Sequence, residues 1–191
     1  KDIELHEIHP PIPAWNRNAM RLFSGNGWDA RTIIVLHTDT GLEGIAEAEG
    51  PPRESLVQEV EQLRGTNPCC WLGHPQLNIW VAPAIYDLVG KANDVPAYQL
   101  LGPKVRSWVP VSSWTVSQTP ALMAREAQDA AEHGHTWLKF HTSHLHNVID
   151  QTRAMQEVAP PGFKIHYDMN FHSSVEHIVG VARELSQFPI A

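Results

Sequence analysis

Apolar positions recur with two different periods along this chain, and the change of period divides it. Ile3 and Leu5 alternate with polar neighbours, with Ile8 out of phase, so the spacing predicts a strand over 3–9, stopped by Pro10, Pro11 and Pro13. Residues 31–38 (RTIIVLHT) are β-branched and apolar, Asp39-Thr40-Gly41 is turn chemistry, and 42–48 resumes as strand. This is a hairpin, and with the first strand it makes a small antiparallel sheet. Between them, residues 14–29 are rich in Asn, Arg, Gly and Trp and show no period. They read as a loop of a length that suits a functional lid or a disordered segment.

Helical spacing follows. Leu56, Val57, Val60 and Leu63 form one stripe; 65–75 is a break; 77–91 is a second helix, with Pro83 predicting a kink or a late start. Residues 95–101 add one or two turns before Gly102-Pro103. Beyond Arg106 the pattern becomes β-α-β-α-β-α. Strands are expected over 107–114, 136–141 and 163–168. Thr119-Pro120 opens a helix that Gly134 closes, and Asn147 caps one carrying Val148, Thr152, Met155 and Val158. Ser173 with Glu176 suggests a capping box for a helix carrying Val175, Ile178, Val179, Ala182 and Leu185. Such alternation implies parallel strands with helical crossovers, in a doubly wound sheet or part of a barrel.

Composition narrows the function. A net charge of -7 and the absence of any basic run argue against nucleic acid. No apolar run approaches the roughly 18 residues of a membrane span, and residues 1–10 lack the apolar core of a secretory signal, so neither membrane nor export is expected. The adjacent Cys69 and Cys70 cannot form a disulfide framework and read as two buried thiols of a reducing compartment, with the cytoplasm as the default. No glycine-rich phosphate loop follows any strand, which disfavours a nucleotide-binding domain.

Parallel α/β folds bind ligands at the C-terminal ends of strands. There the chain offers Ser112, Ser113 and Trp114; then Lys139, Phe140 and His141; then Asp168, Met169 and Asn170. Residues two apart on a strand share a face, so Lys139 aligns with His141 and Asp168 with Asn170. Asp supplies hard oxygen for a divalent ion, His takes a proton near neutral pH, and Lys pairs with a carboxylate. These parts suit abstraction of a proton next to a carboxylate. The alternative is structural: a solvated lysine, a hydrogen-bonded histidine and Asp/Asn turn chemistry.

Further runs carry a resemblance. Thr38-Asp39-Thr40-Gly41-Leu42-Glu43-Gly44 in the hairpin, Ala84-Ile85-Tyr86-Asp87-Leu88-Val89-Gly90-Lys91, Val95-Pro96-Ala97-Tyr98-Gln99-Leu100-Leu101-Gly102, then Val105-Arg106 and Val109-Pro110-Val111, occur in order. They resemble the enolase superfamily, mandelate racemase/muconate lactonizing enzyme type, over nearly the whole chain. The resemblance implies an α+β capping domain over 1–104 with linker helices, followed over 105–191 by the first β/α units of a partial (β/α) TIM-type barrel.

It also implies roles. The family carries Lys-x-Lys on the second barrel strand; here Lys139 matches the first and would neutralise the substrate carboxylate. His141 replaces the second, the general base. Asp168 would be a magnesium ligand, and Asn170 would contact substrate. Residues 14–29 match the mobile capping loop, making Trp15, Arg17 and Asn18 substrate-binding candidates. The implied cofactor is Mg2+ and the implied substrate a small-molecule carboxylate, a sugar acid, in a homo-oligomer when intact. The implied reaction is dehydration through an enediolate, with racemisation or epimerisation as the alternative. The family's barrel has eight strands, with further acidic ligands and a second base on later ones, and this chain supplies about three. One Asp cannot meet the oxygen count of magnesium. The chain by itself is therefore expected not to be a competent enzyme, and a non-catalytic interaction module is the rival reading.

Overall fold

The computed structural model describes residues 1–25, 29–170 and 174–191. The chain forms two compact units, Lys1–Ile12 with Trp28–Trp108, and Pro13–Gly27 with Val109–Ala191.

The first unit is built on an antiparallel sheet of β1 (Asp2–Ile8), β2 (Arg31–His37) and β3 (Glu43–Glu49), in that order. Strand β2 buries Thr32, Ile34 and Leu36, and β3 buries Gly44, Ala46 and Ala48, the period-two pattern of a sheet with one covered face. Helices α2 (Glu54–Glu61) and α3 (Ala82–Ala92) supply Leu56, Val60, Ala84, Ile85, Leu88 and Val89 to the same core. Pro83 gives the late start rather than a kink, because α3 begins at Ala82 with the proline in its first turn. The small residues on β3 let α3 come close: a Cβ on Gly44 would fall on the Ala84 carbonyl oxygen and within 2.8 Å of Leu88 Cβ. Asp87 on α3 accepts the edge-strand N–H of Ile45 at 3.0 Å, and Lys91 donates to the Glu43 carbonyl at 2.8 Å, so the helix also satisfies the open side of β3.

Cys69 and Cys70 are exposed, contrary to the buried thiols expected. They lie on a short 3-10 turn, Pro68–Trp71, capped by the Asn67 side chain, in which Trp71 takes the side packed against the core and the two thiols are left on the outside.

The second unit has a parallel sheet in the order β4 (Ser113–Val116), β5 (Trp137–His141), β6 (Lys164–Asp168), with α4 (Pro120–Glu132), α5 (Val148–Val158) and α6 (Val175–Leu185) following the strands. Leu138, Phe140 and Ile165 pack against Met123, Ala127, Ala130 and Met155 of the helices. The strand expected over 107–114 begins later and runs further, because the ladder with β5 pairs Ser113–Val116 with Leu138–His141, while Trp108, Val109 and Val111 are exposed. The capping box involving Ser173 lies outside the described residues; the cap observed on α6 is Ser174, whose hydroxyl accepts from the His177 N–H.

The segment expected as a loop holds a helix, α1 (Ala14–Ser24), within the second unit. Asn16, Ala19, Met20 and Phe23 stand at i, i+3, i+4 and i+7 and form its inward stripe, the first three buried. A polar residue heads that stripe, so it does not register as apolar periodicity. Gly25, at φ 77°, closes the helix with its N–H on the Arg21 carbonyl at 2.9 Å.

Candidate active site

Alternation along β5 sends Leu138 and Phe140 into the helix-covered core and leaves Lys139 and His141 on the other face. The parallel register sets His141 beside Asp168 and Lys139 beside His166 on β6. Asn170 lies just past β6 in the left-handed region, φ 49°, a conformation Asn tolerates better than most residues. Its own N–H returns to Asp168 Oδ1 at 2.9 Å. The end of β5 is tied to the end of β6 by the Thr142 N–H on the Asp168 carbonyl at 2.8 Å.

Four of the residues predicted from sequence therefore meet. Lys139 Nζ is 2.8 Å from Asp168 Oδ2 and 2.8 Å from His141 Nε2. His141 Nδ1 is 2.6 Å from Asn170 Oδ1 and 3.4 Å from Asp168 Oδ2. An ammonium only donates, so His141 Nε2 accepts from it, and the ring proton sits on Nδ1, donated to Asn170. The Asn170 amide completes the sequence by donating to the carbonyls of Thr142 and Asp168, each at 3.3 Å. The Lys139 hydrogen bond, followed by the Asn170 N–H, holds the Asp168 carboxyl below the usual carboxylate range, against a smaller opposing effect of burial.

Among the described residues, two aromatic rings wall the imidazole. Phe23 of α1 lies 5.3 Å away between centroids, and Trp114 of β4 meets it edge-on at 5.5 Å. The sequence pattern puts Trp114 at the end of a strand over 107–114, whereas it is the second residue of β4. Phe23 carries no such signal, because its segment shows its helical stripe only once Asn16 is counted as an inward residue.

Trp15, Arg17 and Asn18 lie on α1. The Trp15 indole donates to Glu126 Oε1 at 3.2 Å and lies under the Arg125 guanidinium. Arg17 is half-buried, and Asn18 is exposed. Among the described residues no group of three His, Cys, Asp or Glu side chains could hold a metal ion. Asp168 alone fits as one oxygen donor at this strand end.

No family model matches the chain. It is 27% identical to a D-galactonate dehydratase of Variovorax paradoxus, over 75% of this chain and 45% of that protein. It is 28% identical to a cis-3-hydroxy-L-proline dehydratase of Roseibium aggregatum, over 55% of this chain and 35% of that one. The chain thus spans about half the length, or less, of the curated relatives it matches. Among solved structures, a mandelate racemase/muconate lactonizing family protein from Azoarcus sp. superimposes with a TM-score of 0.70 at 20% identity, over 98% of this chain and 53% of that one. A D-glucarate dehydratase from Agrobacterium tumefaciens complexed with magnesium gives 0.64 at 17% identity, over 97% and 58%. The chain therefore shares its fold, an antiparallel α+β unit followed by three parallel β/α units, with just over half of each of these solved structures, one of them a mandelate racemase/muconate lactonizing family protein.

Proposed function

We propose that Lys139, His141, Asp168 and Asn170 form part of an active site that binds a carboxylate and moves the proton α to it, and that the reaction served is dehydration of a sugar acid. The observation that carries this reading is the single ammonium of Lys139 held between Asp168 and His141. Two of its three N–H directions are spent on those partners, and the third is left for a substrate carboxylate oxygen. For His141 to act as the base, the Lys139 N–H must leave Nε2 as the ammonium swings toward the bound carboxylate, which frees that lone pair for the α proton. Asn170 keeps the other ring proton on Nδ1, so Nε2 is the nitrogen able to accept. The nearest carboxylate oxygen to His141 Nδ1 among the described ion pairs is Asp168 Oδ2, at 3.4 Å.

Magnesium belongs to this reading through Asp168, and the D-glucarate dehydratase relative was solved with that ion. The described residues do not complete such a site. They offer one carboxylate, already engaged by Lys139 and the Asn170 N–H, where about six oxygens are needed. The proton chemistry above rests on the side chains themselves. Dehydration is favoured over racemisation because the curated relatives are dehydratases of polar acids.

Incubation of the chain with D-galactonate in D2O tests the reading. A 2-keto product that falls by at least about a hundredfold in His141→Asn supports it. Deuterium at the α carbon without keto product points to racemisation instead. No exchange and no product from any of several sugar acids would sink catalysis for this chain and leave the interaction module.

A further inference from the structure

Helix α1 is joined to the sheet of its unit through one buried carboxyl group that the proton chemistry does not use. Glu126 on α4 is 7% exposed. Its Oε1 accepts from Asn16 Nδ2 and Gln118 Nε2, each at 2.7 Å, and from Trp15 Nε1 and Thr115 Oγ1, each at 3.2 Å. Thr115 Oγ1 in turn accepts from Asn16 Nδ2 at 2.9 Å and from Gln118 Nε2 at 3.2 Å. The Asn16 and Gln118 amide oxygens are buried without a hydrogen-bond partner, so each amide is oriented through its N–H side, and Glu126 is an acceptor both share. The Arg125 guanidinium, 3.9 Å from the Trp15 ring centroid, covers that indole. Trp15 and Asn16 both belong to the first turn of α1.

Phe23 lies seven residues beyond Asn16, two turns and about 10 Å along the axis, on the same helix face. There its ring rests on His141. The helix is fixed at one end by Glu126 and carries at the other a ring that walls the imidazole.

We propose that Glu126 is a positioning residue: by holding the first turn of α1 it seats Phe23 against His141 and thereby sets the ring's orientation and the approach to its Nε2. The catalytic consequence rests on the reading of His141 as proton acceptor, but the mechanical coupling does not. On this account Trp15 acts through the latch, without touching substrate.

The test is nuclear Overhauser contact between the Phe23 ring protons and the His141 Hε1 and Hδ2 protons in the 191-residue chain, at one fixed pH. Glu126→Ala is expected to abolish these contacts and to displace the two His141 proton resonances. Asn16→Ala leaves the Thr115 and Gln118 bonds to Glu126 in place and removes a link from α1, so it is expected to reduce the same contacts while the chain stays folded. Phe23→Leu is expected to displace the His141 resonances without further change in the Glu126→Ala/Phe23→Leu double variant. Should Glu126→Ala fail to fold, Asn16→Ala and Glu126→Gln decide the matter. Full Phe23–His141 contacts in folded Asn16→Ala and in a folded Glu126 variant would overturn the proposal. Loss of contact in a chain that exchanges no α-proton would leave the latch standing and remove only its catalytic consequence.

Discussion

Lys139 Nζ stands 2.8 Å from Asp168 Oδ2 and 2.8 Å from His141 Nε2, so one ammonium bridges the acid of β6 and the imidazole of β5. Replacing it with an isosteric apolar chain, Lys139→Met, is expected to let the Asp168 carboxyl rise toward its ordinary range, since Lys139 is the largest cause of its lowering. Because the folded value lies below the unfolded one, the bridge stabilises the fold above the ordinary carboxylate range and loses that contribution as pH falls through the lowered folded value. The side chain of Asp168 is 36% exposed, so screening holds the gain under about 1 kcal/mol. Carboxyl carbon titration by NMR checks the shift, and urea midpoints at acid and neutral pH check the stability.

Asn170 combines a left-handed backbone, φ 49°, with the hydrogen bond that keeps the His141 proton on Nδ1. Asn170→Ala is expected to cost about 1–2 kcal/mol of backbone strain and to free the tautomer. Asn170→Gly should relieve the strain and still free the tautomer. Imidazole nitrogen shifts reporting an unchanged single tautomer in Asn170→Gly would show that Asn170 does not set it.

Gly44 faces the Ala84 carbonyl with no room for a side chain. Gly44→Ala is expected to destabilise the first unit by about 1–3 kcal/mol, read as a lower urea midpoint. An unchanged midpoint would mean that α3 can move off β3 at little cost.

Burial pushes the Tyr167 phenol up to about 12, and its bond with the Thr152 hydroxyl lowers it by less. Phenolate absorbance should therefore appear late for this residue, and Thr152→Val should delay it further. The folded value lies above the unfolded one, so the unfolded chain loses its proton first. Stability then declines as pH rises from about 10 to about 12, by roughly 2 kcal/mol in all. A phenolate titrating near pH 10 would contradict the burial of this ring.

Magnesium at millimolar concentration is expected to give no saturable heat with this chain, because one engaged carboxylate falls short of the coordination the ion requires. Saturable binding lost in Asp168→Asn would reverse that expectation.

Much of the fold is legible in local pattern. β-branched composition marks β2, the Asp39-Thr40-Gly41 turn marks its hairpin with β3, Thr119-Pro120 and Asn147 mark helix starts, and the i, i+2 rule puts Lys139 with His141 on one face. The Asp168–Asn170 pair is visible because both residues stand at a strand end, where parallel folds collect chemistry. Helix α1 escapes this kind of reading because its inward stripe begins with Asn16, a polar residue whose burial depends on donors and acceptors far away in sequence. Cys69 and Cys70 escape it because exposure follows from where a short turn lies.

The sequence by itself therefore determined most of the elements, α1 apart, and which side chains share a strand face, since both follow from backbone geometry and from solvent acting on neighbouring residues. Only the tertiary structure decided that Lys139 reaches Asp168, that Glu126 gathers Trp15, Asn16, Thr115 and Gln118, and that Phe23 closes on His141. Each of those relationships joins residues brought together by strand register and helix packing, and such distances are set by how whole elements fill a shared core.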